Sequence, residues 1–375
     1  MKHLYVHIPF CRSRCDYCDF ASELLEPHAR AGRVTAYLTA LRSELALRGA
    51  SLERPPETIY LGGGTPTALP QPALLDLVRE LSAPREGGIR RSPAEFTVEA
   101  NPGTIDASLL TQLAAAGVTR LSLGVQSFAP ALRAALGRRV SQAEVMAALQ
   151  AVKVAGWKEW NIDLVFGIPG QTWKEAAADI DAAVAAAPTH ISFYDLTYSA
   201  AYAARVDRDM GSEARRRAGD FAEQHYGCAV ARLEAAGYSR YEVSNFALPG
   251  HECRHNLAYW RGEDYLGLGA SATSTVGGER RTNPTSVADY LAGLPADVEL
   301  LSTFTRVWEK AMLGLRTCEG VSEDAVRPAL DPAQLELLVS RGWVERHCGK
   351  MRLNPGFMNV SNGVLTTLLR TPDDV

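Results

Sequence analysis

Short apolar runs alternate with stretches of helical spacing through the first half of the chain. Leu4 to Ile8 reads as a strand, and so do Thr58–Leu61, Glu95–Glu99, Arg120–Gly124, Trp160–Phe166 and His190–Thr197. Apolar residues three and four apart mark helices over Val34–Leu47, about Pro72–Leu81, Ala107–Ala116, Gln142–Ala155 and Trp173–Ala187. Gly117 and Gly156 stand where helix C-caps favour glycine. A proline-containing loop, Arg54 to Pro56, precedes the second strand. Strands alternating with helices indicate βαβ units and a parallel sheet. Right-handed crossovers would curl six such units into a partial (β/α)6, TIM-like α/β barrel, two units short of a closed one. Glycine-rich and polar segments cluster just after the strands, on the face that carries chemistry in such barrels.

Beyond Thr197 the pattern breaks. A charged segment, Arg205 to Arg217, leads into a long helix ending at Gly237. Tyr238 to Phe246 reads as one extended strand, and Leu266 to Ala272 as a small-residue turn. Helices follow over Thr303–Leu315, Ala329–Arg341 and Val360–Leu369, with a hairpin, Trp343–Arg346 and Lys350–Leu353, across Gly349. Helix, helix, short hairpin is the outline of a winged-helix module. The expected division is a barrel with its appended loop over 1–275, a linker over 276–299 and a mostly helical C-terminal domain over 300–375.

Composition narrows the class. The 375 residues are 46% hydrophobic and 22% charged, with a net charge of −4. No dense basic helix is present, so nucleic acid is not an expected partner. No apolar run approaches the roughly 20 residues of a membrane span. Met1 leads directly into the first strand without a basic and apolar leader, and seven cysteines is an odd count. Thiolate chemistry in a reducing compartment, the cytoplasm, is the expectation.

The chemistry begins at Cys11, Cys15 and Cys18, spaced C-x3-C-x2-C after the first strand. Three thiolates on one tight loop can hold three corners of a [4Fe–4S] cube. Phe20 stands where a fourth cysteine would complete the set, leaving one iron open to a small molecule. The alternative is a zinc site with a histidine as fourth ligand, for which His7 is nearest in sequence. Gly62-Gly63-Gly64-Thr65 follows the second strand and lets backbone amides approach a ligand. A simple turn reads equally well. Glu99, Gln126, Arg138 and Asp163 are polar residues at or past strand ends, where helix caps and loop hydrogen bonds use the same types. His251, Cys253 and His255 cluster beside Tyr259 and Trp260. Imidazole and thiolate both ligate haem iron, and a hydrogen-bonded structural loop is the competing reading.

Taken together, these residues resemble the oxygen-independent coproporphyrinogen dehydrogenase-like family of radical S-adenosylmethionine (SAM) proteins. The motifs are Val6 to Cys18, Gly62 to Thr67, Glu99-Ala100-Asn101-Pro102, Gly124 to Phe128, Asp163 to Gly170 and Leu313 to Arg316. The resemblance implies a radical SAM barrel with Cys11, Cys15 and Cys18 on the cluster, and Tyr5 and Tyr17 beside it. It implies that Gly63, Gly64 and Thr65 contact the amino-acid part of SAM, with Glu99, Gln126, Arg138 and Asp163 on its polar groups. Thr197 would line the adenosine end. The family's dehydrogenases carry a fourth cysteine two residues after the third, and a long N-terminal extension. Here Phe20 stands at that position and ten residues precede Cys11. His255-Asn256-Leu257-Ala258-Tyr259-Trp260 fits the H-N-x-x-Y-W pattern of the other branch, the haem chaperones. That branch implies haem as cargo, haem-accepting apoproteins as partners, and a haem role for His255, with Cys253 and His251 as substitutes. Oxidative decarboxylation of coproporphyrinogen III stays open, as does a scaffold that keeps its cluster for homodimer formation or redox sensing.

Overall fold

The computed structural model describes residues 1–52, 56–82 and 93–370. Of the expected loop Arg54 to Pro56, only Pro56 lies within the described residues. Six strands alternate with helices as expected. They are β1 (His3–Ile8), β2 (Thr58–Gly63), β3 (Glu95–Ala100), β4 (Arg120–Gln126), β5 (Trp160–Phe166) and β6 (His190–Asp195). Helices between them include α1 (Arg33–Arg48), α2 (Gln71–Ser82), α3 (Ala107–Ala116), α4 (Pro130–Ala135), α5 (Gln142–Ala155) and α6 (Trp173–Ala185). Consecutive strands pair in parallel from β1 to β6. The short helix α4, between Phe128 and Gln142, was absent from the sequence pattern.

Side chains along these strands alternate between two environments. Leu4, Val6, Ile8, Ile59, Leu61, Phe96, Val98, Leu121, Leu123, Ile162 and Ile191 are buried in one continuous core with apolar residues of the surrounding helices. Each fully buried aliphatic or aromatic side chain of this kind contributes about 1.5–3 kcal/mol. The intervening positions face inward and are polar. Register sets them in rows: Glu99 beside Ser122, Ser122 beside Asn161, Asn161 beside His190; then Gly124 beside Asp163 and Asp163 beside Ser192. The barrel interior is therefore a polar hollow, unlike the packed centre of a closed barrel.

Past β6 the chain departs from expectation in four places. The charged segment 205–217 is itself helical, in α7 (Ala200–Met210) and the start of α8 (Ser212–Ala235). Its charges pair along the surface, Arg216 with Glu213 and Asp220. The expected strand 238–246 is two short antiparallel strands, β7 (Ser239–Arg240) and β8 (Asn245–Ala247). The buried Glu242 carboxylate accepts the Ser244 N–H at 3.1 Å and turns the chain between them. After α9 (Arg254–Trp260), the supposed turn contains a strand, β9 (Tyr265–Leu268), paired in parallel with β1. Its glycine serves close approach, because a Cβ on Gly267 would overlap the Thr273 backbone. The expected linker 276–299 holds β11 (Glu279–Thr282), α10 (Val287–Leu291) and most of β12 (Asp297–Leu300). With β10 (Thr273–Val276), these strands extend the sheet outward from β9.

The C-terminal part has its own apolar core, with Ala311, Leu315, Leu335, Leu338, Met351 and Leu365. It comprises α11 (Thr303–Gly314), α12 (Pro332–Ser340), α13 (Ser361–Leu368) and a three-stranded sheet. Strand β15 (Lys350–Leu353) lies between β13 (Val321–Ser322) and β14 (Val344–His347). This is the expected helix, helix, hairpin outline, tied to the barrel by the Cys318 N–H, which donates to the Tyr241 carbonyl at 2.9 Å. No helix of the described residues is long and apolar enough to cross a membrane.

Candidate functional site

The loop after β1 carries the three cysteines, and every one of them is a free thiol. Two neighbours fix it. The Asp16 N–H donates to the Leu136 carbonyl at the end of α4, at 3.1 Å, and the Asp16 carboxylate pairs with Arg205 of α7. Gly137 is left-handed at φ 70°, and a Cβ there would overlap the Asp16 carboxylate. Only glycine satisfies both conditions.

All three cysteines line one cavity of about 500 Å³ in the open end of the barrel. Gly63 at the end of β2, with Gly64 and Thr65 after it, forms its wall, together with Glu99 from β3, Gln126 at the end of β4, Arg138 after it, Asp163 from β5 and Thr197 after β6. Tyr17 lines it as well. Tyr5 does not: its ring stacks on Tyr60 at 6.2 Å, and its hydroxyl donates to His7 Nδ1 at 3.0 Å. His7 Nε2 is bonded to the Ala21 carbonyl at 2.8 Å, so both ring nitrogens are engaged away from the thiols. Among the described residues, no three His, Cys, Asp or Glu side chains are grouped to hold a single metal ion.

The thiols suit a polynuclear iron centre. Burial pushes Cys15 and Cys18 up, and each thiolate's charge works against the others. The Arg138 guanidinium, 3.7 Å from the Cys15 sulfur, opposes that rise. A cationic cluster core would relieve the same repulsion, and thiolate is the ligand it takes. The backbone opposite is bare by necessity. A Cβ on Gly63 would come within 2.6 Å of the His7 ring, and one on Gly64 within 2.8 Å of the Phe10 carbonyl.

Four acidic residues line this space, Asp19, Glu99, Asp163 and Asp195. Glu99 accepts from the Tyr60 hydroxyl at 2.7 Å and from the Gly63 N–H at 3.1 Å. Removal from water nevertheless raises it to about 7, with Asp163 adding to the rise. Burial likewise raises Asp163, against hydrogen bonds from Asn161 and Ser192. Arg138 donates to the Asn101 side-chain oxygen at 2.7 Å and the Gly124 carbonyl at 2.5 Å, and the Asn101 amide donates to Thr65 at 2.7 Å. Asn101, Asn161, Ser122 and Ser192 thus belong to the wall. Asn101 lies in the Glu99 to Pro102 motif, whereas no motif marks the other three, whose signal is polarity at alternate positions of strands with an apolar other face.

The other candidate loop sits at the opposite end of the barrel, where the strands begin. Glu95, the first residue of β3, accepts from the Arg254 and His255 N–H groups at 3.0 Å each and from the Cys253 thiol at 3.3 Å. His255 Nδ1 meets the Thr58 hydroxyl at 2.7 Å, and its ring stacks on Tyr60 and lies edge-on to Tyr259. It is 1% exposed, and burial drives its pKa down to about 3. Cys253 is buried, and its thiol is pushed up mainly by that burial. His251 is half-buried and bonds Glu159 at 2.9 Å. The loop expected to present iron ligands therefore stops the bottom of the barrel, because its hydrogen bonds point inward. The cysteine loop and His255 do not converge, although Cys253 and Asn256 form part of the floor of the same cavity.

Comparison with known proteins agrees with this architecture. The radical SAM superfamily pattern matches residues 5–183. The haem chaperone HemW of Mycobacterium tuberculosis (strain ATCC 25618 / H37Rv) is 36% identical over 377 residues, covering 98% of this chain and 94% of its own. The haem chaperone HemW of Escherichia coli (strain K12) is 35% identical over 357 residues, covering 88% and 89%. Among solved structures, coproporphyrinogen III oxidase (HemN) from Escherichia coli, a radical SAM enzyme, aligns with a TM-score of 0.76. It is 22% identical, over 97% of this chain and 89% of that one, a likeness of fold.

Proposed function

Because this chain belongs to the HemW family of radical SAM proteins, we propose that it is a haem chaperone, binding haem and delivering it to haem-dependent proteins. In this reading it carries a [4Fe–4S] cluster on Cys11, Cys15 and Cys18, and SAM in the adjoining cavity. The observation behind the cofactor assignment is the convergence of three free thiols, a bare glycine wall and two water-poor carboxyl groups on one cavity. A cluster held by three thiolates supplies one iron free of protein ligand, open to the amino and carboxylate groups of SAM.

The chain's own residues do the rest. Gly63 and Gly64 let the methionine part lie against backbone, and Thr65 is held toward it by Asn101. Glu99 and Asp163, both disfavoured as lone anions here, gain from the cationic sulfonium of SAM. Gln126 and Arg138 offer amide and guanidinium donors, and Thr197 borders the adenosine end. Tyr17 lies beside the thiols, and Tyr5 acts from behind, through Tyr60 and His7.

Haem carriage is favoured over porphyrinogen decarboxylation by the relatives' identity and by Phe20. That residue is 67% exposed at the cavity edge and presents an aromatic ring where the dehydrogenases present a thiol. Of the three expected iron ligands, only His251 is open to solvent without movement. Ligation by Cys253 or His255 requires the start of α9 to lift from Glu95. The test is anaerobic reconstitution, then separate haem titration and coproporphyrinogen turnover, for the parent and for His251→Ala, Cys253→Ala and His255→Ala. One haem per chain and no decarboxylated product are expected. Product accumulating with SAM cleavage would make the protein a dehydrogenase, and stoichiometric zinc in place of iron would remove the cluster assignment.

A further inference from the structure

The end of β4 carries a strained residue. Gln126 has φ 70°, a left-handed backbone that residues with a Cβ seldom adopt. Pairing with β5 slips between Gly124 and Gln126, and such slips re-aim side chains beside functional sites. The consequence is that Gln126 lines the cavity. A conformation of this kind persists only where its surroundings hold it.

Two buried charged residues, neither of which lines the cavity, hold the turn that follows. Asp179 of α6, 4% exposed, accepts from the Ser127 hydroxyl at 2.6 Å and from the Phe128 N–H at 2.7 Å. The Ser127 oxygen in turn accepts the Ala129 N–H at 3.0 Å. Arg133 of α4, 1% exposed, donates to the Ser127 carbonyl at 2.8 Å. Its remaining nitrogens donate to the Val140 carbonyl at 3.2 Å and to Gln142 at 2.9 Å. Taking two charges out of water is costly. Here both are directed at the donors and acceptor of one three-residue turn.

We infer that Asp179 and Arg133 are positioning residues for the cofactor site: together they hold the donors and the carbonyl of Ser127-Phe128 and so fix Gln126 in the conformation that faces the cavity. The inference rests on the proposed SAM site. Its test uses the full chain in two states. Cluster-loaded protein is dialysed anaerobically against labelled SAM, and cluster-free protein is followed by amide hydrogen exchange over residues 124–132. Asp179→Ala should weaken SAM about tenfold and speed exchange at Phe128 and Ala129, with iron content and haem affinity unchanged. Asp179→Asn keeps one acceptor oxygen and should recover most of both. Ser127→Ala keeps the Phe128 bond and should give a smaller loss in the same direction. If the parent binds SAM and Asp179→Ala binds it equally, this inference falls and the site reading stands. A parent that binds no SAM removes both. Should Asp179→Ala not fold, parent-like SAM affinity and exchange in Ser127→Ala would overturn the inference.

Discussion

The Arg138 guanidinium lies 3.7 Å from the sulfur of Cys15 and donates at 2.7 Å to Asn101, so one side chain joins the cysteine loop to the opposite wall. It opposes the rise that burial imposes on the Cys15 thiol. Arg138→Ala should therefore slow anaerobic cluster loading and lower iron per chain by half or more, with a lesser effect for Arg138→Lys. Cys15→Ser should lose most of the iron, against about four iron and four sulfide in the parent. Iron content equal to the parent's in Arg138→Ala would detach this residue from the thiols.

Gly137 and Gly156 make a matched pair. Both are left-handed, at φ 70° and 69°, but only Gly137 faces a neighbour, the Asp16 carboxylate. Alanine at either position should cost about 1–2 kcal/mol of backbone strain. Gly137→Ala should in addition displace the cysteine loop and fail to hold iron, while Gly156→Ala keeps it. Thermal unfolding and iron analysis of the two variants separate strain from collision.

Glu99 supplies a pH signature. Its carboxyl, raised from 4.5 to about 7, binds its proton more tightly in the folded chain than in the unfolded one. Its contribution to stability is thus full below the ordinary value and lost as pH climbs toward 7. Glu99→Gln should flatten that decline in cluster-free protein. Glu242 is raised into the same window, so the difference between parent and variant isolates Glu99. SAM is a cation at the sulfonium, so its affinity in the parent should rise through this range and lose that rise in the variant. Parallel pH profiles would exclude Glu99 from the cofactor.

His255 behaves as a core residue. Its loss should cost roughly 2–4 kcal/mol, from the Thr58 bond and the vacated ring volume. Burial holds its pKa near 3, so the parent should lose stability as pH falls below the ordinary histidine value. His255→Ala should lose less on acidification. Denaturant unfolding at pH 7 and pH 5 measures both effects, and a variant as stable as the parent would show the loop to be loosely held.

The parallel strands and most helices are legible because burial on one face imposes a period that the spacing of apolar residues shows. The cysteine loop was legible because its spacing has few other uses. What escaped notice depended on partners distant in sequence. Leu266 to Ala272 reads as a turn, yet its first three residues belong to β9, because Gly267 answers to a neighbouring backbone and not to a bend. Asp179 and Asp181 lie two residues apart on the alanine-rich helix α6. Asp181 does pair with Arg232 at the surface, but Asp179 turns inward to a strand end fifty residues away. For His255 the sequence leaves a haem ligand and a structural loop both open, because Thr58, Tyr60 and Glu95, which occupy it, come from other strands.

The stopper at the strand-start end has a consequence for traffic. Glu95 and Thr58 pin the beginning of α9 beneath the barrel, so among the described residues this end is stoppered, and the cysteines border the cavity away from it. A guest that enters past the cysteines leaves past them. A small occupant seated deep is therefore the first in and the last out, and anything broad resting over the entrance becomes its lock. Residence time of the inner guest would then report on the outer one, even if the two never touch.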